Sequence, residues 1–389
     1  MFFFQDPSLR QFQQRLEDVM HKNNLSTLFK VNDIPGDTQL RDLIDACDPT
    51  PIEDAFSDYF TSLQRGKQLD SFKVLDGYYL IPIDGTEYFS SEKICCPQCL
   101  RTKSSKGKVR YHHTILQAAV VCPGQRQVVP LAPEPVQNSD GNKKQDCELN
   151  AGKRILLKIR QAHPKLRIII GGDGLYSNQP FIEQLKANRM SYVLVAKPDD
   201  HKTLFQWVED LRQMKETKVL TLTDSKNRRH RYQWAKAVPI NGNPNSDSVD
   251  FFDYQLIVDG KTKYHNSWVT DIDVTENNVV ELVKIGRARW KIENETFNTL
   301  KNQGYHIEHN FGHGRQNLSY NLFLLNLLAF FVHQILELSD RLYQRCRTEK
   351  FTSRREFWNQ LRCTIRIIVF DRWEQLLLLI LDPEHNRPP

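Results

Sequence analysis

The chain has 389 residues, of which 40% are hydrophobic and 26% charged, with a formal charge of +6 at neutral pH. Such a composition belongs to an ordinary globular protein of two or three domains and excludes a disordered or fibrous one. The positive balance agrees with a nucleic-acid partner without requiring one.

At the start, Met1-Phe2-Phe3-Phe4 runs at once into Gln5-Asp6, too short an apolar stretch for a secretory signal. DPSLRQFQQRLEDVM then has a capped start and places Leu9, Phe12, Leu16 and Met20 at helical spacing. Pro35-Gly36 breaks the chain, and DTQLRDLIDAC and PIEDAFSDYFTSLQRG read as two further helices. Residues 1–71 are therefore expected to form an N-terminal helical region. No helix-turn-helix signature is sharp enough to name a recognition helix.

The core is expected to open near Phe72. Residues 78–83 form a β-rich apolar run, ending in Asp84-Gly85-Thr86 where turn chemistry should take over. Next comes a group of metal-type residues: Cys95, Cys96 and Cys99, then His112, His113 and Cys122. Cys96-Pro-Gln-Cys99 is a knuckle-type pair, and two thiolates with His112 and His113 would make a structural Zn²⁺ site. There is no second CxxC and no H-x₃₋₅-H, so a β-hairpin with free thiols and a histidine facing the acidic site stays open. Between them lie Arg101, Lys103, Lys106, Lys108 and Arg110, either a solvated charge run or a contact to a nucleic-acid backbone.

Residues 117–121 and 127–131 read as paired strands around Pro123-Gly124, and 147–163 as a helix. Residues 166–170 are an apolar run broken only by Arg167, as expected for a strand covered on both faces. It ends in Gly171-Gly172-Asp173-Gly174, and Ser177-Asn178-Gln179-Pro180 looks like a helix start. Ligands in open α/β sheets gather at the carboxyl ends of strands, so Asp84 and Asp173 could share a site. After a strand at 192–196 and a helix at 203–214, the stretches 218–223, 230–238, 252–258 and 267–270 alternate like strands. This block, about 215–275, reads as a β-rich insertion.

RARWKIENETFNTLK, at 287–301, then reads as a helix. At 100° per residue, Arg289, Trp290, Glu293, Phe297 and Leu300 share one stripe, and Glu295 points away. A carboxylate on that face needs a cation or a donor. The bland account of Glu293 is an i,i+4 pair with Arg289; the sharper one is a metal ligand. Three carboxylates from two strands and a helix suit Mg²⁺ or Mn²⁺ and in-line attack on a phosphodiester, with two ions ~3.5–4 Å apart. Residues 304–314 hold three glycines with His309 and His313 in a polar loop, either a contact to a nucleic acid or a link between core helices. Residues 320–338 are apolar enough to span a membrane, but polar residues spread through them favour a buried core helix. Residues 341–389 read as a basic helical tail with Trp358 and Trp373.

The order strand-Asp-Gly-Thr, strand-Gly-Gly-Asp-Gly, then Arg289-Trp290-x-Ile292-Glu293 resembles the DDE transposases of bacterial insertion sequences, in the branch with a β-rich insertion before the Glu. The likeness covers about 75–338. It implies an α/β fold with an RNase H-like catalytic core at 72–340 and metal-dependent cleavage at transposon ends. Strand transfer of the freed 3′-OH into target DNA would follow. It also implies double-stranded DNA as partner, a homodimer, and a bacterial cytoplasmic location away from any membrane. Asp84, Asp173 and Glu293 would hold two Mg²⁺ ions. Arg289, Lys301, the Arg101–Arg110 cations, His309 and His313 would face DNA, and the 1–71 region would recognise the element's ends or cap the core. Two positions depart from the signature: Gly286 stands where the family has Tyr, and Leu300 where it has Lys, with Lys301 one step on. The segment 132–154 is similar to one subgroup. A nuclease without strand transfer and a decayed, non-catalytic copy are the alternatives; all three acids are present.

Overall fold

The computed structural model describes residues 1–16, 19–137 and 146–384; side chains at 15–23 lie outside the described set. Leu9 and Phe12 are buried as the helical spacing demands, while the side chains of Leu16 and Met20 lie outside the description. So does part of the 132–154 segment, at 138–145. The N-terminal region folds into α1 (Leu9–Leu16), α2 (Val19–Phe29), α3 (Asp37–Ala46) and α4 (Thr50–Arg65).

A 12-stranded sheet forms the centre. Its first strands are β1 (Lys73–Val74), β2 (Tyr78–Ser91), β3 (Leu100–Lys103), β4 (Val109–Val120), β5 (Val129–Pro130) and β6 (Glu134–Val136). Then come α5 (Glu148–Ala162), β7 (Ile168–Gly172), α6 (Gln179–Ala187), β8 (Ser191–Val195) and α7 (Lys202–Gln213). Every residue of β7 is buried, the pattern of a strand covered on both faces. β2, β7 and β8 run parallel, and β4 lies antiparallel on the other side of β2. Helices α5 and α6 make the crossovers that parallel pairing requires.

The β-rich block is β9 (Lys218–Thr223), β10 (Arg229–Pro239), β11 (Ser248–Val258) and β12 (Lys261–Thr270). It does not stand apart. β12 pairs with β8 through Trp268↔Val195, so the block prolongs the central sheet. β12 also begins earlier than the expected 267. Asp259 (φ 51°) and Gly260 (φ 72°) make a two-residue turn, and Val258 pairs directly with Lys261. That is the left-handed pair a tight hairpin needs, and Asp-Gly is its usual sequence.

The remainder is helical: α8 (Val279–Ala288), a π-helical turn (Ile292–Phe297), α9 (Asn298–Asn302), α10 (Leu318–Ser339), α11 (Arg341–Arg345), a second π-helical turn (Cys346–Lys350), α12 (Arg354–Ile367) and α13 (Trp373–Leu381). By length and hydropathy α10 could cross a membrane. Its polar side chains instead find partners inside the protein. Asn321 donates to the carbonyls of Ile44 and Cys47, Asn326 to that of Tyr305, and Gln334 accepts from Val128 N–H. His333 bridges Tyr305 and the Phe3 carbonyl. These contacts tie α10 to the N-terminal region, where Phe56 of α4 stacks on Phe331. The C-terminal helices close a second core around Phe4, Tyr343, Phe357 and Trp358. Phe3 packs edge-on against Trp358 and Trp373, so the first and last parts of the chain share one aromatic cluster.

Candidate active site and the residues around it

Asp84 was expected at a strand exit, but it lies within β2, which runs unbroken to Ser91. The parallel neighbour is what ends there. β7 pairs with β2 only as far as Pro82↔Gly171, whereas β4 continues past Asp84 to Ser91↔Tyr111. The side chain thus sits just beyond the carboxyl end of β7, uncovered on one side. Asp173 follows β7 directly, and its Oδ1 accepts from Leu175 N–H at 2.9 Å. Asn178 caps α6 by accepting from Phe181 N–H at 3.1 Å, which fixes the path of the chain after Asp173.

The expected helix over 287–301 is interrupted. The π-helical turn spans Ile292–Phe297 and carries Glu293. Its wider turn changes the helical phase, which is why Trp290, expected on the buried stripe, is 49% exposed. Ile292, Phe297 and Leu300 are buried and hold the segment on the core. Arg289 is buried and reaches both acids, with Nη1 3.0 Å from Glu293 Oε1 and 3.4 Å from Asp84 Oδ2. The bland reading of Glu293 as an Arg289 partner is therefore literally present, but the same guanidinium also serves Asp84. Gly286 replaces the family tyrosine for a steric reason. A Cβ there would come within 2.6 Å of the Trp268 indole, so an aromatic from β12 takes the space. Leu300 is buried, and Lys301 pairs with Glu308 at 2.7 Å.

A fourth carboxylate escaped the sequence reading. Glu148 opens α5, and its Oε1 accepts from Tyr176 O–H at 2.6 Å. Its Oε2 lies so close to Gly85 that a Cβ at Gly85 would be 2.6 Å away. Only glycine leaves room for this carboxylate beside β2. The available signal was the acid at the first turn of the helix preceding the Asp173 strand. Burial, and then the charges of Glu293 and Glu148, push Asp84 up to about 7 against the pull of Arg289. Burial, and then Asp173, raise Glu148 as well. Asp84 and Glu293 meet at Arg289, Glu148 lies against Gly85, and the charge of Asp173 bears on Glu148, which outlines a candidate site at the end of the parallel strands. All its donors are oxygens and its anionic charge exceeds what Arg289 neutralises. Those features fit a hard divalent cation such as Mg²⁺ or Mn²⁺.

The expected DNA-facing residues fall into three groups. Arg101, Lys103, Lys106, Lys108 and Arg110 occupy the exposed β3–β4 hairpin. Of these, Arg110 pairs with Glu87 at 2.5 Å and Lys108 with Glu92 at 3.7 Å, while Arg101 lies over the Tyr111 ring. His309 is exposed and packs edge-on against Phe311. His313 is instead buried, in a loop whose Tyr305, Ile307 and Phe311 fill core space. It faces Cys96, Cys99 and His113.

The expected Zn²⁺ ligand set is corrected accordingly: His112 is not in it. Successive residues of β4 point to opposite faces, so only one of the two histidines can face Cys96 and Cys99. His113 does. His112 lies between Thr102 and Thr114, near Glu87. Cys95 is exposed, and Cys122 is buried with its Sγ against the Pro123 carbonyl.

Comparison with known proteins bears on the same stretch. Among curated proteins none matches the chain. Residues 82–331, which include Asp84, Asp173 and Glu293, match the transposase DDE domain. The chain belongs to that family, the DDE transposases of the insertion-sequence type.

Proposed function

We propose that this transposase cuts at the ends of its element and joins the freed 3′-OH to target DNA, using Asp84, Asp173 and Glu293 as its catalytic carboxylates. The pairing of Asp84 and Glu293 with one guanidinium, that of Arg289, at the end of parallel strands β2 and β7 where Asp173 follows, carries the reading. The strand order β4-β2-β7-β8, with β4 alone antiparallel, supports an RNase H-like core over 72–340 into which β9–β12 are inserted.

In the first reaction a water oxygen bonds to phosphorus as the P–O3′ bond breaks, leaving a 3′-OH and a 5′-phosphate. In the second that 3′-oxygen bonds to a target phosphorus and a target P–O3′ bond breaks. Asp84, Asp173 and Glu293 would hold Mg²⁺ or Mn²⁺, which when bound stabilises the charge on the attacking and leaving oxygens. Arg289 holds Asp84 and Glu293 together and offsets their repulsion. Glu148 is a positioning residue, fixed by Tyr176 against the β2 backbone. The exposed hairpin cations and His309 grip duplex phosphates, which sets affinity and its salt dependence. A homodimer would bring two ends together.

The test is incubation of purified protein with labelled element ends, with Mg²⁺ or EDTA, alongside Asp173→Ala and Glu295→Ala. Cleavage and joining that need Mg²⁺, vanish without Asp173 and survive loss of Glu295 support the reading. Cleavage without joining makes the protein a nuclease, and binding without cleavage makes it an inactive copy.

A further inference from the structure

Five residues along β2 from Asp84 lies a second cluster with different chemistry. Sγ of Cys96 is 3.8 Å from Sγ of Cys99, and the two sulfurs are 3.5 and 3.4 Å from Nε2 of His113. Nε2 of His313 is 3.5 Å from the Cys99 sulfur and 3.2 Å from Nε2 of His113. All four atoms lie within 4.8 Å of one another. A tetrahedral ion with metal–sulfur bonds of ~2.3 Å and metal–nitrogen bonds of ~2.0 Å requires about 3.8 Å between sulfurs, about 3.5 Å from sulfur to nitrogen and about 3.3 Å between nitrogens. The five edges agree with those three values. A disulfide does not explain the pair, because it needs about 2.05 Å between sulfurs.

The surroundings prepare the same donors. Cys96 N–H points at the Cys99 sulfur at 3.4 Å, and Cys99 N–H donates to the Cys96 carbonyl, so the Cys-Pro-Gln-Cys turn holds both sulfurs on one side. Nδ1 of His313 faces the Gly314 carbonyl at 3.3 Å, which assigns its proton there and leaves a lone pair on Nε2. Phe89 packs on both imidazoles and Tyr88 on His113, which keeps water out. Cys99, His113 and His313 are buried. Four polar donors converging in an aromatic shell are costly without an ion to satisfy them.

We infer that Cys96, Cys99, His113 and His313 form a structural Zn²⁺ site. Four protein ligands leave no open position, so the ion is structural rather than catalytic. Thiolates and imidazoles select Zn²⁺ over the Mg²⁺ favoured by an oxygen-only site. Loading replaces two thiol protons, released to solvent, with one dication, and the centre becomes neutral. The ion ties the loop before α10 to β4 and to the root of the basic β3–β4 hairpin, joining segments 214 positions apart. The inference is independent of the carboxylate site.

The test is metal analysis of the full-length protein after gel filtration, with release followed by a chromogenic chelator. The expected content is about one zinc per chain. It should fall at least tenfold in His313→Ala, return in His313→Cys, and stay unchanged in His112→Ala. Cobalt-loaded protein should show thiolate charge-transfer and tetrahedral ligand-field bands. Should Cys99→Ser fail to fold, the His313 and His112 variants and the cobalt spectrum still decide. Zinc-free protein whose melting does not respond to added Zn²⁺, a Cys96–Cys99 disulfide, or zinc retained in His313→Ala would each overturn the assignment.

Discussion

Two clusters hang from the same long strand and differ in nearly every respect. Around Asp84 the donors are carboxylate oxygens, partly open to solvent, with Arg289 as counter-ion. Around His113 they are sulfur and imidazole nitrogen, mostly buried and enclosed by Phe89 and Tyr88. The first has the properties of a working site, because a reacting phosphate needs access and hard cations keep open positions for it. The second has those of a fastener, closed and saturated. β2 runs past both: it carries Asp84 of the first, and further along, beyond the end of its parallel neighbour, the Phe89 that pairs with His113 of β4 and packs on the second.

Substitutions should separate the two. The largest effect is expected for Asp84→Asn. It should take DNA cleavage below detection while leaving the zinc content intact. It should also stabilise the metal-free protein at neutral pH. The sign follows from a folded-state pKa of about 7, above the ordinary 3.8. Between those values the native state holds the extra proton, so stability of the wild type falls as pH rises through that window. Added Mg²⁺, which binds the carboxylate form, should therefore raise the wild-type melting temperature more at pH 8 than at pH 5.5, and Asp84→Asn should lose that response. Calorimetry at both pH values reads it; an equal Mg²⁺ response at both would break the assignment.

Gly85→Ala should come next. Its Cβ would sit 2.6 Å from the Glu148 carboxylate, forcing that side chain away and lowering cleavage by about 10–100-fold, as loss of an orienting group does. Single-turnover kinetics with unchanged DNA affinity would show it. The zinc content should not move.

His163 sharpens the contrast as a buried imidazole whose ring packs at a tilt against Phe60. Burial, with some help from Arg160, lowers its pKa from the ordinary 6.5 to about 4. The unfolded chain binds more protons between those values, so stability should be lost as pH falls from 6.5 toward 4, by up to roughly 3 kcal/mol. His163→Leu should flatten that part of the pH–stability curve; an unchanged slope would place the proton elsewhere. The smallest effect is expected for Lys103→Gln with Lys106→Gln. Both lie on the exposed hairpin, and together they should reduce the salt slope of DNA binding by about 2 with little effect on the rate of cleavage.

The regular elements were largely legible in the sequence. The helix start at 177–180, the helix at 147–163 and the strands of the β-rich block all occur, and the strand expected at 166–170 occurs two residues later, at Ile168–Gly172, because local periodicity and turn chemistry decide them. The polar residues of the membrane-length helix point to a core helix, and in α10 Asn321, Asn326, His333 and Gln334 each have a hydrogen-bond partner inside the protein. Register was harder. The Asp259-Gly260 turn was present in the sequence but was passed over, so β12 was read too short.

What the sequence by itself determined is the inventory: three acids in family order, a cysteine knuckle, and a basic hairpin between them. Tertiary structure decided which members of the inventory meet. His113 rather than His112 joins the thiols because β4 alternates its faces. His313 joins them from across the chain because α10 docks where it does. Glu148 enters the acidic site because Gly85 leaves space for it, and Trp290 leaves the buried face because a π-helical turn shifts the phase. The His313 and Glu148 contacts join segments far apart in sequence, which no local pattern records.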